Sequence, residues 1–478
     1  MAGAPFLAQD RSLLIDGKWV ASDSWIDVTS PYSGDVVGRV PRVGAGETRR
    51  ALDAAARVLA TPIPAHERAA ILERASALLT ANATEAAQTI AAEAGKPLKA
   101  ATVEVARAAS TLTFSALEAR RLAGRMVPME SHPAGEGKLA FTMRVPIGII
   151  GAISPFNFPL NLVAHKLGPA FAAGCPVVLK PATATPLSAL LLARMLHEAG
   201  LPAGWLSVVT GPSAEIGDVL VEDDRVKLIT FTGSGPVGWG IAARAPKKRV
   251  ALELGNSTPV IVEAGADLEA AATKLAASAF GFAGQSCISV QRIYVERPAL
   301  ETFLSAFLPK VEALVVGDPL DPGTDVGPVI DAGNRDRLLE WIDEARTGGA
   351  TVAAGGSVVA GCIRPTVIVG GPDTLRVSCE EAFGPLAVVH PYDTFDEAID
   401  RANGTGFGLQ AGIFTPSIDR AFQAARRLEF GGVTVNETPT FRADQMPYGG
   451  IKDSGNTKEG PAWTVEAMTE ERLVVVNA

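Results

Sequence analysis

From residue 146 onward, short apolar runs alternate with stretches of helical periodicity, and few folds accept that order. Residues 148–153, 176–180, 206–209 and 226–231 are apolar runs, and each is followed by a helix-like stretch: 161–174, 187–199, 213–222 and one opening near 234. Strands that are apolar throughout must be covered on both faces, and strands separated by helices run parallel. This region therefore predicts a doubly wound α/β sheet. A second series follows. A helix over 267–283 precedes a strand at 290–295, and helices near 298–313, 332–347, 394–403 and 416–428 alternate with strands such as 386–390 and 433–435. The cleft between two such units is a usual place for a ligand.

Upstream, 67–94 and 99–120 read as alanine-rich helices with charges spread around an apolar stripe. Residues 139–145 and 472–476 lie outside both series. They are β-like and apolar enough to need a partner strand, which another subunit could supply. A chain of 478 residues exceeds one ordinary core, so two or three domains are expected.

Several classes are disfavoured. The net charge is −9 with no lysine or arginine cluster to match a phosphate backbone, so nucleic acid is not an expected partner. The first ten residues lack a basic and apolar leader. The most apolar region, 145–179, carries five prolines together with Asn157, Asn161, His165 and Lys166, which makes a poor membrane span. The four cysteines form no CxxC pair and the five histidines are scattered. Free thiols in a reducing cytoplasm fit this pattern better than a disulfide framework, and no metal site is expected.

Three motifs carry chemistry. Gly233, Gly235 and Gly238 satisfy G-x-G-x-x-G between a strand and a helix. There the backbone can approach a pyrophosphate, the helix N-terminus offers free N–H donors, and Ser234 adds a hydroxyl. The same segment could be a glycine-rich turn without a ligand. The fingerprint rule would make Glu253, twenty residues on from Gly233, the ribose ligand. Cys287 stands among small polar residues at the expected end of a helix, which suits either a nucleophile or a structural cysteine. Asn157 lies in a proline-bracketed loop, Pro-Phe-Asn-Phe-Pro at 155–159, where its amide can serve an oxyanion or merely an Asx turn.

Taken together, these segments resemble the aldehyde dehydrogenase superfamily of the NAD(P)-dependent, non-acylating type, through nearly the whole chain. The ordered set is the 155–159 loop, Leu-Lys-Pro at 179–181, Phe-Thr-Gly-Ser at 231–234, Leu-Glu-Leu-Gly at 252–255, Gly-Gln-Ser-Cys at 284–287, Glu-Glu-Ala-Phe-Gly-Pro at 380–385 and Pro-Tyr-Gly-Gly at 447–450. The resemblance implies that Cys287 is the nucleophile and that Asn157 and the Cys287 backbone N–H are oxyanion donors. Glu253 becomes the general base rather than a ribose ligand, with Lys166 and Glu459 as a pair near it. NAD or NADP would be held by Ser154, Phe156, Lys180, Thr183, Gly233, Ser234, Glu381 and Phe383. It further implies a dinucleotide-binding domain over 1–121 and 146–252, a catalytic domain over 253–435, and an oligomerisation arm and C-terminal strand at 122–145 and 460–478. A homodimer or homotetramer is expected.

Three departures from the family pattern stand out: Asn256 where a second glycine is usual, Ser-Gly-Asn-Thr at 454–457, and Thr183 where NAD-strict members often carry glutamate. The last removes repulsion of a 2′-phosphate, so NADP use is open beside NAD. For the substrate, Arg107 and Arg442 could grip an anion, with Phe158 and Ser286 nearby. The expected substrate is a small anionic or hydroxylated aldehyde, such as lactaldehyde, glyceraldehyde 3-phosphate or a sulfo-aldehyde. Rival readings are a coenzyme A-acylating dehydrogenase, an inactive binding protein on the same fold, and a cysteine hydrolase.

Overall fold

Both alternating series fold into sheets in the computed structural model, which describes residues 10–477. The expectation of no leader rests on residues that lie almost wholly outside the described ones. Strands β1 (Ile149–Ile153), β2 (Val177–Lys180), β3 (Leu206–Val208), β4 (Val226–Thr232) and β5 (Arg249–Glu253) form a five-stranded parallel sheet in the order β5-β4-β1-β2-β3. The order reverses between β1 and β4. The connections leaving those strands therefore part, and a crevice opens at their carboxyl ends.

Strands β6 (Thr258–Val262), β7 (Val290–Glu296), β8 (Thr351–Ala354), β9 (Thr366–Val369), β10 (Leu386–Tyr392), β11 (Gln410–Phe414) and β12 (Gly432–Val435) form a seven-stranded sheet in the order β8-β9-β10-β7-β6-β11-β12. All pairs are parallel except β8 with β9. Each sheet has its own apolar core, one around Leu167, Val178 and Ile229, the other around Val260, Ile293 and Val388. Residues 254–257 alone separate β5 from β6, so Glu253 sits where the first sheet hands the chain to the second.

The Asn161–Ala173 helix is buried along its whole length, under the Leu98–Arg121 helix. A helix apolar on every side belongs in such a sandwich, and its two charged-type residues, His165 and Lys166, face buried polar groups. The stretch 67–94 is two helices, Ala65–Ala81 and Ala83–Ala94, not one. Asn82 breaks it: its side-chain amide donates to the Leu78 carbonyl at 2.8 Å and closes the first helix.

The two orphan strands pair with each other. Lys138–Pro146 runs antiparallel to Thr469–Asn477, from Lys138 opposite Asn477 to Pro146 opposite Thr469. The partner that their apolarity demands is thus found within the chain. Leu473, Val475 and Val476 remain exposed on the C-terminal strand, which is an edge of its sheet. Among the described residues no helix is long and apolar enough to cross a membrane.

Candidate active site

Cys287 reaches the crevice through a strained turn. The Leu268–Phe280 helix ends in a short 3-10 segment, Gly281–Gly284, where Phe282, Ala283 and Gly284 take φ of 52°, 52° and 69°. Left-handed backbone costs about 1–2 kcal/mol at each non-glycine residue. Gly284 is obligatory here because a Cβ would overlap the Gly384 carbonyl. Gln285 locks the turn by donating to the Pro328 carbonyl at 3.2 Å and accepting from the Ile330 N–H at 2.8 Å. Its own carbonyl accepts from Asn157 Nδ2 at 2.9 Å, which ties the 155–159 loop, at the end of β1, to the segment before Cys287. One amide N–H of Asn157 is used in this way and the second is left for another acceptor. The half-buried Cys287 Sγ lies 2.7 Å from the Tyr448 hydroxyl. Burial pushes the thiol up to about 12, with the Glu253 and Glu381 carboxylates adding to the effect and Tyr448 and Arg442 opposing it.

Glu253 ends β5 and is 4% exposed, and neither carboxyl oxygen has a hydrogen-bond partner among the described residues. Burial and the neighbouring Glu459 push its carboxyl well above the ordinary range, against Arg442, Lys166 and Lys458. Glu459 goes the other way. Burial would raise it too, but Lys166, Arg442 and His165 outweigh burial and hold it low. Lys166 Nζ stands 3.6 Å from Glu459 and donates to Thr230 and Thr232 at 3.0 and 2.7 Å, while Arg442 pairs with Glu459 at 3.1 Å. Two buried carboxyls are thus split: Glu459 keeps the charge and Glu253 keeps an affinity for protons. Such a split separates acid–base roles in an active site.

Around the crevice, several polar groups lack a full set of protein partners. Lys180, at the end of β2, is buried, and its ammonium has one hydrogen-bond acceptor among the described residues, the Pro181 carbonyl at 3.2 Å. Burial lowers its pKa. The Ser154 hydroxyl is buried without a partner among the described residues. Ser234 is the exposed N-cap of the Gly235–Arg244 helix and makes no side-chain cap, and Gly233 precedes it. Thr183 is exposed three residues beyond Lys180. Glu381 accepts from the Asn256 N–H at 3.0 Å, and burial raises its carboxyl to about 7. Gly255 lies so close that a Cβ there would displace the Glu381 carboxylate. Phe156 and Phe383 meet edge to face at 5.7 Å. Ser154, Phe156, Lys180, Thr183, Gly233 and Ser234 end or follow strands of the five-stranded sheet, Glu381 and Phe383 come from the segment before β10 of the other sheet, and together these groups fit a dinucleotide.

Phe158 packs on Phe282 at 6.3 Å, and Ser286 is half-buried just before the cysteine. Both candidate anion ligands are already ion-paired. Arg107 donates to Asp444 at 3.0 Å, with 23% of its side chain exposed. Arg442 is buried against Glu459, with its guanidinium 3.8 Å above the Tyr448 ring.

The chain matches the model of the aldehyde dehydrogenase family over residues 19–474. The chain belongs to that family. It is 44% identical to a 3-sulfolactaldehyde dehydrogenase of Priestia aryabhattai, over 97% of this chain and 98% of the relative. The crystal structure of aldehyde dehydrogenase 21 from Physcomitrella patens in complex with the reaction product succinate superposes with a TM-score of 0.95 at 39% identity, covering 98% of each chain. A glyceraldehyde-3-phosphate dehydrogenase of Methanocaldococcus jannaschii complexed with NADP gives 0.91 at 35% identity, over 95% of this chain and 99% of that one.

In this aldehyde dehydrogenase two asparagines, Asn256 and Asn456, brace the segment that carries Glu253. Buried Asn256 donates to Thr258 Oγ1 at 2.8 Å and to the Gln410 carbonyl at 3.1 Å, and accepts from the Leu409 N–H at 3.3 Å. Asn456 acts as a strand neighbour for the free edge of β5: its side chain accepts from the Leu252 N–H at 2.9 Å and donates to the Val250 carbonyl at 3.0 Å. Replacing Asn256 by alanine strands the Leu409 N–H and the Gln410 carbonyl in a buried site. The expected loss is about 1–3 kcal/mol of stability, read as a lower urea midpoint. An unchanged midpoint would refute this bracing role. Sequence reasoning missed Asn256, Asn456 and Tyr448 as working residues. The asparagines were visible only as exceptions, and the tyrosine only as part of the Pro-Tyr-Gly-Gly motif, with no role attached.

Proposed function

We propose that this enzyme oxidises a small anionic or hydroxylated aldehyde to its carboxylate through a covalent bond to Cys287. One observation carries the reading. A thiol, an amide with a spare N–H and an unpartnered buried carboxyl are brought to one crevice by three separate segments: the turn after the Leu268–Phe280 helix, the loop after β1 and the end of β5.

The cofactor is NAD or NADP. Lys180, Ser154 and Ser234 would hold its adenosine and phosphates, Glu381 its second ribose, and Phe156 and Phe383 would flank the ring. When bound, it supplies the acceptor for the hydride that leaves the substrate carbon. The residues of the chain do the rest. The Cys287 thiolate attacks the carbonyl carbon, and the resulting alkoxide is met by the free N–H of Asn157 and the backbone N–H of Cys287. A donor of this kind lowers the barrier by about 2.7–4 kcal/mol. After oxidation, Glu253 takes a proton from water, which adds to the thioester and expels the Cys287 sulfur. Lys166 and Glu459 stand near this carboxyl as a charged pair and are the candidate route by which the proton leaves it. A residue with a raised pKa suits this base role, and its presence speaks against transfer to coenzyme A.

Arg107, part exposed, is the candidate for a substrate anion, and Phe158 and Ser286 are further candidate substrate contacts. Arg442 is assigned instead to holding Glu459 and Tyr448. We place the dinucleotide-binding domain at 1–121 and 146–252, the catalytic domain at 253–435, and an arm and C-terminal strand at 122–145 and 460–478. The exposed apolar edge of that strand supports a homodimer or homotetramer, and the free cysteines support a cytoplasmic enzyme.

A panel of 3-sulfolactaldehyde, lactaldehyde, glyceraldehyde 3-phosphate and uncharged aldehydes, run with NAD and NADP and with and without coenzyme A, tests the reading. An absolute need for coenzyme A, or a preference for long uncharged aldehydes, would defeat it. Thr183→Glu is expected to lower kcat/KM for NADP relative to NAD by at least ~10-fold, since like charges brought together cost several kcal/mol. An unchanged ratio would remove Thr183 from the cofactor site.

A further inference from the structure

Among the described residues, the Cys287 sulfur has one side-chain hydrogen-bonding neighbour, the Tyr448 hydroxyl at 2.7 Å. Reactive thiolates are usually stabilised by a lysine, a protonated histidine or a helix N-terminus. Among the described residues, no lysine or histidine bonds this sulfur. The charged groups that face it are the Glu253 and Glu381 carboxylates, which oppose ionisation, and the Arg442 guanidinium, which favours it from beyond the tyrosine ring.

Tyr448 is held from several sides. It is 3% exposed, packed with Ile288 and Leu409. Its backbone N–H donates to the Glu459 carbonyl at 3.0 Å, and its carbonyl accepts from the Glu459 N–H at 2.6 Å. Arg442 covers its ring at 3.8 Å. The groups facing the phenol are Cys287, Arg442 and Glu253, and burial keeps it protonated.

We propose that Tyr448 is a catalytic residue that donates its O–H to the Cys287 thiolate and so stabilises the nucleophile through a neutral group. The same hydroxyl can accept the S–H of the resting thiol, so one contact serves both protonation states. A neutral donor also leaves no fixed cation beside the sulfur once it is bonded to carbon. The inference rests on Cys287 being the nucleophile.

The test is the rate of Cys287 modification by iodoacetamide and by methyl methanethiosulfonate, read by mass spectrometry, in the parent and in Tyr448→Phe. A hydrogen bond to a charged group shifts an ionisation by about one to two pH units. Both reagents should therefore react ~10–100-fold more slowly at any fixed pH below the thiol's midpoint. Equal rates, or a loss confined to one reagent, which reports access rather than ionisation, would overturn the proposal. If the phenylalanine variant does not fold, 3-fluorotyrosine at position 448, a stronger donor of nearly the same shape, should speed modification, and no change overturns the proposal. Cys287→Ala keeps the two ideas apart: full aldehyde oxidation in that variant would sink the nucleophile itself, whereas a Tyr448→Phe enzyme with unchanged thiol reactivity would sink only the role of the tyrosine.

Discussion

Cys287→Ala is expected to abolish aldehyde-dependent NAD(P)H formation, by ~10⁴-fold or more, while leaving nucleotide binding intact. The argument is geometric. The covalent route begins at one sulfur, and among the described residues the other three thiols stand elsewhere. Cys175 is buried beside the Met468 carbonyl, Cys362 is buried in a short two-stranded sheet, and Cys379 ends a short helix with its sulfur on the Thr374 carbonyl. Among the described residues, the side chain of Ser286, just before Cys287, accepts from the Ile288 N–H at 3.5 Å and is bonded to no base. The Asn157 contact runs to the Gln285 backbone, so the turn should survive loss of the thiol. Nucleotide titration and aldehyde oxidation on the same preparation check both halves. Oxidation at the parent rate would refute the mechanism.

The sequence made some of this legible and hid the rest. The parallel sheets were readable because fully apolar runs between helices have few other solutions. The strand at 226–231, the helix at 213–222 and that at 332–347 fall at or next to the observed bounds of β4, Ser213–Glu222 and Ala332–Thr347. Strand β5 escaped notice because Arg249 and Glu253 bracket three apolar residues, too short a run to read as a strand. Its edge is completed by Asn456, more than two hundred residues downstream, which no local pattern reveals. Short N-terminal hairpins such as Leu13–Ile15 with Lys18–Val20 were lost for the same reason. At the site, motif order pointed to Cys287, Glu253 and Asn157, and the fold brings Asn157 against the turn before Cys287. Arg442 showed what sequence cannot supply: it looked available for an anion until Glu459 appeared beside it, whereas Arg107 pairs with Asp444 but keeps part of its side chain exposed.

Glu253→Gln should separate the two halves of the reaction. Glutamine keeps the shape but cannot take a proton, so the first half, ending in one equivalent of NAD(P)H per active site, should still occur. Hydrolysis of the thioester should then slow by ~10²–10⁴-fold, the usual contribution of a positioned base. A burst followed by a slow steady state, with the acyl group found on the Cys287 peptide, is the expected record. The pH dependence follows from the direction of the shift. Only the ionised carboxylate can act as base, and burial with Glu459 nearby raises the pKa of Glu253. The parent's hydrolytic rate must therefore rise with pH through a midpoint well above that of an ordinary carboxylate, and this acidic limb should vanish in the variant. Glu459, held low by Lys166 and Arg442, stays charged across the same range and contributes no such limb. If Glu253→Gln loses the burst together with the turnover, the carboxylate acts before hydride transfer, on the thiol. If turnover and its pH limb both persist, another group activates the water.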